Sequence, residues 1–133
     1  MMRKLDQRGA AAWEFSLVAV PLFLLIFAIF DLGRYAITMQ SLRALANAGA
    51  RAMMINCYTP AVTANTSPAG CIGDPLTDAA KQAVAPFLLA PTLNTASGGS
   101  ALTVTASEPG FTMMMPIWGT TLNAPSTSTS IPF

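Results

Sequence analysis

Two features have side chains whose chemistry is defined by their surroundings: a carboxylate, Glu14, at the head of an apolar run, and a cysteine pair, Cys57 and Cys71. A carboxylate at mid-bilayer costs about 2.5 to 3.5 kcal/mol on insertion scales, and acids placed there are usually paired or functional. Nearer the start of the helix it sits among headgroups instead, where the helix dipole favours an anion. The two thiols enclose a loop of about 15 residues, the spacing of a staple and not of a C-x-x-C redox or zinc pair. A lasting disulfide needs an oxidising compartment, so a bonded pair places the part after the apolar run outside the cytoplasm; the alternative is two free buried thiols. The acids of the carboxy-terminal part, Asp74, Asp78 and Glu108, are scattered, and the chain has no histidine. The commonest general base and metal ligand are therefore missing. No catalytic residue, metal site or cofactor is expected, and an envelope enzyme built on those three acids is disfavoured.

The composition agrees. With 53% hydrophobic and 10% charged residues, the 133-residue chain is too apolar for an ordinary soluble domain of its size. The net charge of +1 is made by scattered arginines and lysines, which excludes a basic stripe for nucleic acid.

The elements that must position these groups follow from the pattern of apolar residues. Arg3, Lys4 and Arg8 precede the run against a single acid, Asp6, which by the positive-inside tendency leaves the amino terminus in the cytoplasm. Residues 10–30 as a helix rise about 30 Å, the thickness of a hydrocarbon core. Trp13 suits an interfacial anchor, and Pro21 should kink the span locally. A cleaved secretory signal is the competing reading, but no A-x-A site follows Phe30 and an acid heads the apolar core. Beyond Phe30 the pattern becomes periodic. Leu32, Tyr35, Met39, Leu42, Ala46, Gly49 and Met53 form one stripe, with Arg34, Arg43, Asn47 and Arg51 off it. One helix to about Met54 is predicted, its stripe packing on the chain's own domain or on other helices.

Residues 57–133 read as a small exterior domain. A loop is predicted between the cysteines, then a short helix capped by Asp74 and Pro75 that runs to about Ala85 on a face of Leu76, Ala80, Ala83 and Val84. Residues 94–100 read as a polar loop. Leu102, Val104 and Ala106 alternate with threonines as a half-buried strand over 101–107, and 111–118 is a second candidate strand for which Pro116 argues an edge position or an early end. The Ser/Thr alternation of 126–130 offers a third, with no apolar face. Met113, Met114, Met115 and Trp118 read as a contact surface, as core, or as a group lying against the membrane. The fold class is α+β: one transmembrane helix continuing as a long amphipathic helix, then a disulfide-stapled α+β domain.

Gly9, four residues, then Glu14 and Phe15 resemble the G-x-x-x-x-E-[YF] processing motif of Flp-type pilins and of TadE-like minor pseudopilins. Phe15 stands where Flp pilins favour tyrosine, so the TadE-like branch is the better match. Asp31-Leu32-Gly33-Arg34-Tyr35 and Ala48-Gly49-Ala50-Arg51 resemble the acid-aromatic-Gly-Arg and E-G-A-R stretches of the same family, with Leu32 and Ala48 as departures. The resemblance covers about residues 8–55. It implies a type IV pilin-like architecture, with residues 1–9 as a cytoplasmic leader that a prepilin peptidase cuts between Gly9 and Ala10. It also implies that Glu14, fifth in the mature chain, pairs with the terminal amine of a neighbouring subunit. The expected role is a minor pseudopilin in assembly of a tight-adherence (Flp-type) pilus at the bacterial inner membrane, with 31–56 as a helix extension and 57–133 in the periplasm. Its partners would be other pilin subunits, the peptidase, the inner-membrane assembly platform and lipid. The alternative is an uncleaved single-span envelope protein with an exterior protein-binding module.

Overall fold

The apolar run and the periodic segment after it form one helix, α1 (Gln7–Met53), in a computed structural model that describes residues 7–133. Arg3, Lys4 and Asp6, and with them most of the expected leader, lie outside the described residues, as does the side chain of Arg8. Pro21 sits inside α1, and the helix continues through it. Up to Phe30 the large apolar side chains point outward, from Phe15 at 73% exposed to Phe30 at 69%. Such a surface is stable only against lipid or other apolar helices.

The helical path does not stop near Met54. One widened π-type turn, Met54–Tyr58, in which the Thr59 amide reaches back to the Met54 carbonyl, leads into α2 (Thr59–Thr63). A proline in a regular helix clashes with the carbonyl four residues before it. The extra residue in the turn before Pro60 opens the space for its ring, as inserted π turns do. Cys57 therefore lies on the helix and not in a loop, and its disulfide to Cys71 (Cα–Cα 5.8 Å) ties the following segment back onto it.

The predicted helix after Asp74 is shorter and starts later. Asp74 Oδ1 accepts from the Leu76 amide in a local turn, and Thr77 caps α3 (Asp78–Val84) by accepting from Ala80. Its expected apolar face is also displaced: Ala83 and Val84 are exposed, while Ala85 and Leu88 enter the core.

Three antiparallel strands follow in the order β1 (Thr92–Gly98), β2 (Ala101–Ser107), β3 (Ser126–Pro132). The central strand β2 is the one its alternation predicts. The edge strand β1 replaces the predicted polar loop; its inward residues are Leu93 and Thr95, paired with Ala106 and Val104. In β3, Thr127, Thr129 and Ile131 share a face with Ala106, Val104 and Leu102. That face packs on α1, so Leu42, Leu45, Ala46, Ala50 and Met53 join Leu93, Leu102, Val104, Ala106 and Ile131 in one core. The stripe of α1 from Met39 onward is thus covered by the chain's own sheet. At Gly49 the contact is closest: a Cβ there would stand 2.7 Å from Leu93 Cδ2 and 3.1 Å from Val104 Cγ1. A glycine lets helix and sheet approach this far without displacing the Leu93 or Val104 side chains.

Residues 111–118 are not a strand. They form an irregular loop ending in a single 3-10 turn, Pro116–Trp118.

Candidate functional site

The residues expected to form a processing motif, Gly9 to Phe15, lie together on the amino-terminal part of α1. Gly9 and Ala10 are exposed, and among the described residues nothing stands within 4 Å of the Gly9 side-chain position. Glu14 lies four residues beyond Ala10, hence on the same helical face. It is exposed between Trp13 at 69% and Phe15 at 73%, and it enters no ion pair among the described residues. A carboxylate, an exposed glycine and an outward-facing apolar surface are what this end of the chain presents.

A second site is built around Asp31, the residue directly after the apolar run. Its side chain is only 2% exposed because the loop after Gly110 folds over it. The Met114 amide donates to both carboxylate oxygens at 3.1 Å, and the Met115 amide donates to Oδ2 at 3.0 Å. Arg34, one helical turn on, approaches Oδ1 at 3.6 Å, and its guanidinium lies 5.4 Å over the Phe111 ring, itself tilted against Tyr35. Desolvation pushes the Asp31 carboxyl upward. The Met115 and Met114 amides, Arg34 and the nearby Trp118 indole together outweigh it, so the pKa falls below the ordinary value. The Trp118 contribution is the slightest, and its Nε1 meets no acceptor in hydrogen-bond geometry. Sequence reasoning placed Asp31 in a family-like stretch but gave it no task. The available signal was an acid at the end of an apolar run with an arginine three residues on.

The other acids are held apart. Lys81 bonds Asp78 at 2.9 Å and also contacts Asp74; these two carboxylates raise its pKa against the opposing effect of burial. Glu108 is buried elsewhere: Oε1 accepts from the Ala90 amide, and Oε2 has no partner among the described residues. Asp74 and Asp78 thus meet only on Lys81, Glu108 joins neither, and among the described residues no three His, Cys, Asp or Glu side chains are grouped to hold a metal ion.

Fold and site define a protein that, among the described residues, has one helix long and apolar enough to cross a membrane, whose carboxy-terminal half carries a small, disulfide-stapled α+β domain. Residues 9–51 match the family described as TadE-like protein, the family that the motifs at Gly9 to Phe15 and Asp31 to Tyr35 resemble. The match covers the helix only. No curated protein and no solved structure matches the chain.

Proposed function

We propose that the chain is a minor pseudopilin, cut between Gly9 and Ala10 by a prepilin peptidase, whose mature helix takes part in assembling a tight-adherence pilus. The observation that carries this reading is an exposed carboxylate on a helix surface otherwise built for lipid, at the head of the segment that matches the TadE-like family. Burying Glu14 in the bilayer without a partner costs about 2.5 to 3.5 kcal/mol, and a nearby terminal ammonium offsets that cost. Cleavage supplies such an amine on Ala10 of a neighbouring subunit.

In this reading the amino terminus stays in the cytoplasm, residues 10–30 cross the inner membrane and the stapled domain lies in the periplasm. The chemistry belongs to the peptidase, and the chain acts by binding other pilin subunits and the assembly platform, without a cofactor. Intact-mass and amino-terminal sequencing of the protein from envelope membranes should find a chain beginning at Ala10. A chain still beginning at Met1 or Met2 would sink the processing step and favour the uncleaved envelope protein.

A further inference from the structure

We infer that the loop Phe111–Trp118 is a second membrane contact: it dips into the headgroup layer of the leaflet where α1 emerges, with Asp31 as its clamp and lipid as its occupant.

The depth of the loop is set by geometry. Asp31, which holds the Met114 and Met115 amides, directly follows the last residue of the apolar run. Met114 and Met115 line one apolar cavity with Phe27 and Phe30 of the span. Phe27 lies about 6 Å below Asp31 along the helix at about 1.5 Å per residue, so the methionines stand level with the end of the hydrocarbon core. This patch is continuous with the lipid-facing surface of α1, which favours lipid over a separate protein partner.

Composition and hydrogen bonding fit that layer. No charged residue follows Glu108. Met114 at 77% and Ile117 at 63% exposed point their side chains outward, and the half-buried Trp118 is of the residue type enriched at membrane interfaces. A loop entering a poorly hydrated layer must satisfy its own backbone donors. Here the Met113 amide donates to Asn123 Oδ1, those of Met114 and Met115 to Asp31, and those of Trp118 and Gly119 to the Met115 and Pro116 carbonyls, while Pro116 has no amide proton. The buried carboxylate thus takes two amides that would otherwise need water, while those of Thr112 and Ile117, with no hydrogen bond among the described residues, are left for headgroup oxygens. Arg34 stands beside it at headgroup height, where a lipid phosphate would meet its guanidinium.

The inference rests on insertion of residues 10–30 but not on cleavage or on the pilus. The test uses the full chain in vesicles of phosphatidylcholine and phosphatidylglycerol, with its disulfide intact and a nitroxide on Met114→Cys. Collision with oxygen, which concentrates in lipid, is compared with collision with a water-soluble nickel chelate. The oxygen-to-nickel ratio should be several-fold higher than for Ser128→Cys on the exposed strand, and adding Asp31→Ala should bring it down to the Ser128→Cys level. A ratio at Met114→Cys equal to that at Ser128→Cys overturns the inference. Protection from both reagents does so as well, since a second protein chain would then cover the loop. Phe23→Cys in the same vesicles reports insertion independently: oxygen-rich there but water-exposed at Met114→Cys removes the loop contact alone, whereas water access at Phe23→Cys removes the insertion reading and the loop contact with it.

Discussion

Gly49 and Gly33 lie on the same helix, and replacing each by alanine separates packing from helix propensity. In a helix interior, Gly→Ala gains about 1 kcal/mol from propensity alone. Around Gly33 nothing lies within 4 Å of the added methyl, so that gain should be the whole effect. At Gly49 the methyl would meet Leu93 Cδ2 at 2.7 Å, Leu93 Cδ1 at 3.2 Å and Val104 Cγ1 at 3.1 Å. Exchanging one Leu93 methyl for the other clears nothing, and Val104 is fully buried with a stiff, β-branched side chain. Overpacking a well-filled core costs typically 1 to 3 kcal/mol, and one severe and two moderate contacts on two buried side chains place this case at about 2 to 3. Subtracting the propensity gain leaves Gly49→Ala destabilised by about 1 to 2 kcal/mol, and thus about 2 to 3 kcal/mol below Gly33→Ala. Urea unfolding of the full chain in detergent micelles, followed by Trp118 fluorescence in a Trp13→Phe background, measures both midpoints. The slopes should not change, because neither substitution alters the surface exposed on unfolding. Adding Leu93→Val to Gly49→Ala should cost less than the two single losses summed, since the shorter side chain makes room for the methyl. If both alanines shifted the midpoint by similar amounts in the same direction, close approach of helix and sheet would not be the reason for a glycine at position 49.

Three other perturbations address the remaining elements. Glu14→Ala should insert at least as well as the parent chain yet fail to support pilus assembly; normal piliation by electron microscopy would remove Glu14 from the mechanism. Replacing Cys57 and Cys71 by alanine should lower stability by about 3 kcal/mol, as expected for a closed loop of about 15 residues, and thiol labelling of envelope material should find both protected until reduction. Because the Asp31 pKa lies below the ordinary value of 3.8, the clamp contributes fully above that pH and weakens only as the pH falls through the lower folded-state value. Trp118 emission in the Trp13→Phe background should therefore hold steady from neutrality down to about pH 5 and shift only in stronger acid. A shift near neutrality would mean that Asp31 does not hold the loop.

Several elements were legible because their determinants are local. The outward apolar surface of α1 followed from an unbroken run, its buried stripe from a repeat of three and four, and β2 from the alternation of Leu102, Val104 and Ala106. The cysteine pair followed from spacing and compartment. Elements whose stability comes from a neighbour were harder to read. β1 has only Leu93 and Thr95 facing inward among polar residues and owes its strand form to pairing with β2. The carboxy-terminal serines and threonines become β3 for the same reason.

The sequence by itself determined that a helix of membrane length leads the chain, where an acid interrupts it, and which family its motifs resemble, since each of these depends on residues within a few turns of one another. Only the tertiary structure decided what the stripe of α1 packs against, why position 49 holds a glycine, and that 111–118 is a loop and not a strand. The amides of Met114 and Met115 are taken by Asp31, 83 and 84 residues away in the chain, and a hydrogen bond of that range leaves no trace in local periodicity.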